Sequence, residues 1–374
     1  MPKHIHLISF NIPYPADYGG VIDVFYKIKA LHDANIAITL HVFEYGREKQ
    51  PILEQLCDKV LYYPRPRNFR YHLTRLPFIV NTRKNKALLQ NLLTDNDPIL
   101  FEGIHGTAWL KHPALKDRVK VVRTHNIEYQ YYKLLAIREE GIAYRSFLLI
   151  ESLKLKYFER HLSHASALAA ISASDAKYFK SINNNTLQIG AFHPYSEVKS
   201  ITGKGNYILY HGNLEVAENL EAVNYILDYV VSKITFPLIL AGKNPPKWLQ
   251  EKVDILPNIT LVSNPSNDEM NDLIENAHIH LLPTFQSTGL KLKLLYSLFA
   301  GRHIIVNPPM VEGSGLNELC HICNMPTEFQ NTIKELINTT FDENMLDKRK
   351  AFFKQNFSNA ENTNKLLTLL FPNK

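Results

Sequence analysis

The chain has 374 residues, 45% of them hydrophobic, and carries 42 Lys and Arg against 36 Asp and Glu, a formal charge of +6. That length suits two domains of ordinary size, and that composition excludes global disorder. No apolar run approaches the roughly eighteen residues that a membrane-spanning helix needs, and three cysteines, Cys57, Cys320 and Cys323, fit a reducing compartment.

The N-terminus has too short an apolar run for a signal peptide and reads as a first core strand over His4–Ser9. Further strands are predicted near Ile36–Phe43, Lys59–Tyr63, Ile99–Phe101, Val119–Arg123 and Ala167–Ile171. Helices are predicted between them, near Val21–Asp33, Arg83–Leu93, Ile127–Ala136, Tyr144–His164 and Ala173–Lys180. After the first strand comes Pro13-Tyr14-Pro15-Ala16-Asp17-Tyr18-Gly19-Gly20. Two adjacent glycines at a helix start leave amides free for a phosphate or a sugar hydroxyl; a permissive turn is the plain alternative. A GxGxxG fingerprint is absent there, which disfavours a nicotinamide enzyme.

From Lys59 to Thr94 there is no Asp or Glu, while Lys and Arg alternate with Tyr, Phe and Leu. Residues 59–86 therefore suit an anionic membrane surface, with a solvated basic face as the alternative and nucleic acid disfavoured. Two further segments follow strands and carry polar groups: Phe101-Glu102-Gly103-Ile104-His105-Gly106, and Arg123-Thr124-His125-Asn126-Ile127-Glu128. Glu102 and Glu128 are candidate acid–base groups, or else cap a helix or pair with Arg123.

Turn chemistry without periodicity over residues 191–206 marks a linker. It separates an N-terminal domain, 1–190, from a second domain, 207–357, and a terminal helix reads over Asn359–Phe371. The second half repeats the alternation. Strands are predicted near Tyr207–Tyr210, Pro237–Ala241, Ile259–Val262, His278–Leu282 and His303–Val306, and helices near Leu220–Val231, Asn267–Asn276, Leu290–Phe299 and Pro326–Asn338. Alternating strands and helices imply an α/β protein with parallel, doubly wound sheets, whose ligands bind at the carboxyl ends of the strands.

The most informative segment is Thr288-Gly289-Leu290-Lys291-Leu292-Lys293, leading through Tyr296 to Gly301. Lys291 and Lys293 fall in or near a first helical turn, where a cation is unfavourable by about 0.3–1 kcal/mol. An anion bound at the same turn removes that cost; two solvated lysines are the alternative. Lys243, after a strand and before Asn244-Pro245-Pro246, and Glu312, after another, are further ligand-side candidates. The Cys320/Cys323 pair lacks a partner pair and reads as two small residues near a strand, not a zinc or redox site.

Together these segments resemble the retaining nucleotide-sugar glycosyltransferases of the GT-B fold, family 4 type. The likeness rests on the Gly-Gly loop at 13–20 and on Tyr210-His211-Gly212-Asn213-Leu214 followed by Glu218-Asn219-Leu220. It rests also on Leu238-Ile239-Leu240-Ala241-Gly242-Lys243, on the G-x-K-x-K segment at 289–293, and on the Arg123–Tyr129 motif. The resemblance implies two Rossmann-like domains facing across a cleft, with the terminal helix, 358–374, packing back on the first. It implies a nucleotide-sugar donor as substrate and a saccharide or lipid-linked acceptor, with no cofactor and no metal. The setting would be surface polysaccharide or lipopolysaccharide synthesis in the cytoplasm, peripheral at the inner face of the membrane.

Carried onto this sequence, the resemblance makes His105 and Lys291 catalytic. Gly19, Gly20, Asn213, Lys243, Thr288, Gly289, Lys293, Tyr296 and Glu312 would bind the donor, and His125 and Asn126 would line the acceptor side. One departure matters: the family's two glutamates, eight positions apart, are replaced here by Thr288 (or Gln286) and Tyr296. A relative that binds nucleotide or glycan without catalysis is therefore an alternative, and a nucleotide-sugar epimerase a further one.

Overall fold

The computed structural model describes residues 3–66, 68–231, 234–285, 292–312 and 314–372. The chain divides into two compact units: one runs to Pro194 and resumes at Phe357, and the other lies between Tyr195 and Asn356.

In the first unit the order is β1 (His4–Ser9), α1 (Gly19–Asp33), β2 (Ala37–Glu44), α2 (Pro51–Leu56), β3 (Lys59–Pro64), α3 (Phe78–Asn81), α4 (Lys86–Leu92) and β4 (Ile99–Glu102). It continues through β5 (Lys120–Thr124), α5 (Glu128–Arg138), α6 (Ile142–Phe158), β6 (Ala167–Ala170), α7 (Ala173–Lys180) and β7 (Thr186–Gln188). All seven strands form one parallel sheet in the order β3-β2-β1-β4-β5-β6-β7. Strands buried on both faces are largely apolar, as β4 and β6 are; β1 and β5, equally buried, also carry His6, Lys120 and Arg123 inward, each with a hydrogen-bond partner. One core layer lies on each face of the sheet, around Leu7, Val24 and Ile38 on one side and around Ile8, Phe101 and Leu155 on the other.

The second unit contains β8 (Ile208–Asn213), α8 (Ala217–Tyr225), β9 (Leu238–Lys243), α9 (Lys247–Asp254), β10 (Ile259–Ser263), α10 (Asn267–Asn276) and β11 (Ile279–Leu282). Then come α11 (Leu292–Ala300), β12 (His303–Val306), α12 (Pro308–Val311), β13 (His321–Ile322), α13 (Pro326–Asn338) and α14 (Glu343–Asn356). Its six strands are parallel, in the order β10-β9-β8-β11-β12-β13. The last helix, α15 (Asn359–Leu370), belongs to the first unit. It places Leu366 and Leu370 in that unit's core, and Asn362 Nδ2 donates to the Ala191 carbonyl.

The predicted alternation and parallel pairing match these sheets. Three differences concern short strands and helix ends. The strands β7 and β13 escape sequence reading because three and two residues cannot show a period. The predicted helix at 144–164 ends as α6 at Phe158 and tightens into a 3-10 turn, Glu159–His164. The predicted 220–231 helix starts earlier, at Ala217, and widens into a π-type turn over Ile226–Val230. The basic stretch is not one surface either: Tyr63 and Ile79 enter the core, and Arg83 is buried.

Candidate functional site

In an open parallel sheet the loops diverge where successive connections leave toward opposite faces, and ligands bind at the carboxyl ends of those two strands. In the first unit β1 pairs with β2 on one side and β4 on the other, so the divergence lies between β1 and β4. The loop after β1 ends at Gly19 and Gly20, which open α1 with no side-chain cap. The loop after β4 carries His105. Phe10 joins them: its ring centroid is 5.1 Å from that of His105 and 5.6 Å from that of His125, which follows β5.

Gly20 has a packing reason of its own. A Cβ there would come within 2.8 Å of the Phe10 ring, so part of the freedom assigned to ligand approach is used by Phe10. Arg83 Nε donates to the Phe10 carbonyl at 2.8 Å and fixes the loop's first residue. Gly103 turns the chain after β4 with φ +68, a conformation open mainly to glycine, and delivers His105. His105 Nδ1 is enclosed and makes no hydrogen bond among the described residues. Burial, then the neighbouring Arg83 and His125 charges, hold His105 well below the ordinary histidine pKa. It is a neutral imidazole at neutral pH, suited to hydrogen bonding rather than to carrying charge.

Beneath this edge lies a buried ionic cluster. Lys27 Nζ donates to Asp23 Oδ2 at 2.8 Å and to both Glu102 oxygens at 2.8 Å. Arg123 donates to Asp23 through Nη2 at 2.9 Å and Nε at 3.2 Å, and through Nη2 to the Gly190 carbonyl. His125 Nε2 lies 3.0 Å from Glu102 Oε2, so that nitrogen carries the proton, because an ionised carboxylate only accepts. Burial alone would raise the Asp23 pKa, but Arg123 and then Lys27 override it and hold the carboxyl well below the usual range. Glu102 is lowered in the same way, by Lys27 and His125 acting against burial. The sequence offers Arg123 as a partner for Glu102 or Glu128; the structure gives Arg123 to Asp23 and Glu102 to Lys27 and His125. Asp23, Glu102 and His125 are close enough to ligate a metal ion. The Lys27 ammonium sits within hydrogen-bonding distance of both carboxylates, so the balancing positive charge is already the protein's own.

Glu128 takes a different role. It is buried at the start of α5, and burial, then the Glu159 charge, push its carboxyl up to about 8. Glu159 accepts the Tyr129 amide at 3.2 Å and the Tyr178 hydroxyl at 2.8 Å, and thus caps the same helix end. Burial raises Glu159 to about 7.

In the second unit the divergence lies between β8 and β11. Asn213 and Lys243 end adjacent paired strands, β8 and β9, and both side chains are exposed. These strand ends meet closely: a Cβ at Gly242 would lie 1.9 Å from the Gly212 carbonyl oxygen. The loop after β11 is tied down by Thr284, whose hydroxyl donates to Glu218 at 2.6 Å and whose amide donates to Asn307 Oδ1 at 2.9 Å. Thr288, Gly289 and Lys291 lie outside the described residues. Lys293, in the first turn of α11, donates to Asn219 Oδ1 at 2.7 Å and to the Tyr210 hydroxyl at 3.3 Å. Tyr296 stacks on Tyr195, ring centroids 5.0 Å apart. Glu312 is exposed beside α12 and lines an open depression with Pro308, Asn317 and Ile322.

No family model matches the sequence. A Klebsiella pneumoniae protein, described as an uncharacterized 44.6 kDa protein in the cps region, is 26% identical over 332 residues, covering 84% of this chain and 85% of that one. Among solved structures, sucrose-phosphate synthase from Thermosynechococcus elongatus superposes with a TM-score of 0.70 at 12% identity, over 100% of both chains. TarM of S. aureus, in complex with fondaparinux, alpha-GlcNAc-glycerol and UDP, gives 0.66 at 10% identity, over 98% of this chain and 99% of that one. Anabaena HepE, in complex with UDP and glucose, gives 0.64 at 11% identity, over 99% of this chain and 100% of that one. The chain has the GT-B fold. Of the residues marked by sequence, Gly19, Gly20 and His105 follow the diverging strands of one unit and Asn213 ends a diverging strand of the other, while His125 follows β5, Lys243 ends β9 and Glu312 follows α12.

Asp23 and Lys27 escaped the sequence reading. Their spacing is that of an ordinary solvent-exposed helical pair, and only the apolar surroundings, Val21, Val24, Phe25 and Ile28, hint at burial.

Proposed function

We propose that this chain transfers a glycosyl group from a nucleotide-sugar to a saccharide or lipid-linked acceptor, with retention at the anomeric carbon, in surface polysaccharide synthesis at the inner face of the cytoplasmic membrane. The observation that carries this reading is the placement of Gly19, Gly20 and His105 at the divergence of β1 and β4 in a GT-B fold. The bound UDP and sugars of TarM and HepE support it, as does the cps-region location of the Klebsiella relative.

In this reading the second unit binds the nucleotide-sugar and the first binds the acceptor. The bond between the anomeric carbon and the diphosphate oxygen breaks, and its electron pair leaves with the diphosphate. The acceptor hydroxyl oxygen forms the new bond on the same face and gives its proton to the departing diphosphate oxygen. Lys291 and Lys243, with the amides near Gly289, balance the departing charge in place of a metal. His105, neutral, hydrogen-bonds the sugar. Thermal-shift measurements with uridine, guanosine and adenosine diphosphates, followed by nucleotide release with and without acceptor in chelator, test the proposal. One diphosphate should raise the melting temperature, and its sugar conjugates should turn over. A chain that no nucleotide or nucleotide-sugar stabilises would refute it.

A second reading, nucleotide or glycan binding without transfer, is favoured by Tyr296, which supplies no carboxylate and packs against Tyr195. Stabilisation by a nucleotide with no release from any conjugate would select it.

A further inference from the structure

The concentration of exposed apolar side chains on α6 is unexplained by the site above. Ile142, Leu149, Leu153 and Tyr157 are exposed at 83%, 42%, 60% and 66%, and Ile150 at 54%. The first four recur at i, i+7, i+11 and i+15, one continuous stripe on the helix. The opposite face is buried at Leu148, Leu155 and Phe158, the last two in the core layer with Phe101 of β4 and Tyr132 of α5, so the stripe is a second apolar face that the fold leaves open.

The charges on this helix have one sign where they are exposed. Glu151 and Glu159, the acidic residues between 142 and 160, are each 1% exposed. Glu151 is used internally, accepting the Phe78 amide and the Lys154 ammonium. Arg145, Lys156 and Arg160 are exposed. Lys154 also donates to the His72 carbonyl at 2.8 Å, and the His72 ring stacks on Phe78 and lies edge-on to Phe147. These contacts seat the basic segment around His72 beside α6, and Leu73, next in the chain, is 74% exposed.

An apolar stripe bordered by exposed cations, on a helix of 17 residues, has the chemistry of an interfacial helix lying flat on an anionic bilayer. We propose that this face of α6 docks the protein on an anionic lipid surface, with Leu149, Leu153 and Tyr157 entering the headgroup region and Arg145, Lys156 and Arg160 pairing with lipid phosphates. The proposal deepens the reading above only in naming the membrane-facing surface. It therefore replaces residues 59–86 as a whole with α6 and the short segment around His72.

Vesicle flotation of the full chain, without donor or acceptor, tests it. Binding should be strong to phosphatidylcholine vesicles containing phosphatidylglycerol, weak to phosphatidylcholine alone, and reduced by salt. Leu149→Gln/Leu153→Gln should lower partitioning by roughly tenfold, and Arg145→Glu/Lys156→Glu should remove the preference for anionic vesicles. Both variants change exposed side chains, so urea unfolding should be unaltered. Equal binding to neutral and anionic vesicles, or none to either, overturns the proposal. So does a wild-type dimer by light scattering that the leucine variant converts to monomer, which would assign the stripe to a second copy. Nucleotide-induced thermal shifts are independent of every arm, so failure here leaves the transferase reading standing, and the reverse.

Discussion

Asp23→Asn should be among the most damaging single substitutions in the first unit. Asp23 is fully buried and accepts hydrogen bonds from Lys27 Nζ, Arg123 Nε and Nη2, and the Phe192 amide, all between 2.8 and 3.2 Å. The formal charges of Asp23, Glu102, Lys27 and Arg123 sum to zero. The amide leaves two buried cations against one carboxylate, the situation for which breaking a buried pair costs about 3–5 kcal/mol. For a unit of this size that corresponds to a fall in melting temperature of roughly 10 °C. The chain has two tryptophans, Trp109 in the first unit and Trp248 in the second. In a Trp248→Phe background, urea unfolding followed by Trp109 fluorescence reads the first unit alone. Asp23→Asn/Lys27→Met restores neutrality and should cost clearly less than the two single changes added together. Asp23 and Glu102 are held below their ordinary pKa values, so their contribution is present above about pH 4.5 and lost as acid protonates them in the folded state. Asp23→Asn should therefore also flatten the acid limb of the stability curve. A loss under about 1 kcal/mol, or strict additivity in the double variant, would refute the reasoning.

Glu128 gives the opposite pH dependence. Its folded carboxyl, raised to about 8, binds a proton that the unfolded chain has lost, so stability falls as pH rises toward 8. Glu128→Gln should raise the melting temperature at about pH 8 more than at about pH 5; an equal change at both would contradict the assignment. His105→Ala should leave nucleoside-diphosphate affinity intact and reduce turnover, measured by calorimetry and nucleotide release on one preparation; an unchanged rate would remove His105 from the site. Lys291→Ala should weaken diphosphate binding by about 1–3 kcal/mol if its ammonium donates to the ligand, and unchanged affinity would dismiss it.

The fold was legible because buried parallel strands must be apolar runs and their crossover helices must be amphipathic. His4–Ser9, Ala173–Lys180, Asn267–Asn276 and Pro326–Asn338 are read from sequence at their observed bounds. Strand ends are legible for a related reason: polar and glycine residues interrupt those runs at Glu102-Gly103 and Thr124-His125, where the chain leaves the sheet. What pattern cannot express is which charges turn inward. Asp23 and Lys27 look like a surface pair, and Arg83 looks like part of a basic face, until Phe10, Glu102 and Arg123 arrive from distant sequence to satisfy them. The same blindness runs the other way on α6, whose leucines look alike in sequence although Leu148 and Leu155 are buried while Leu149 and Leu153 are exposed.

The buried cluster also bears on why His125 stands where it does. A buried ion network is weak evidence for stability, since apolar residues of similar volume often do as well. Orientation is what apolar packing would not supply here. Glu102 ends β4 and accepts from both Lys27, on α1, and His125, after β5, while Arg123 on β5 joins Asp23 on α1. One set of hydrogen bonds thus fixes the tautomer of His125 and locks α1, whose first residues are Gly19 and Gly20, to the two strands that carry His105 and His125. A neutral Glu102→Gln side chain keeps the shape but offers Lys27 and His125 a single acceptor oxygen. If orientation is the purpose, this variant should lose turnover by a larger factor than nucleotide affinity, and Lys27→Met should not mimic it at His125, whose Nε2 proton, seen directly by NMR, would remain bonded to Glu102. Identical effects of the two variants on that proton and on turnover would mean that the cluster acts only as a buried charge balance.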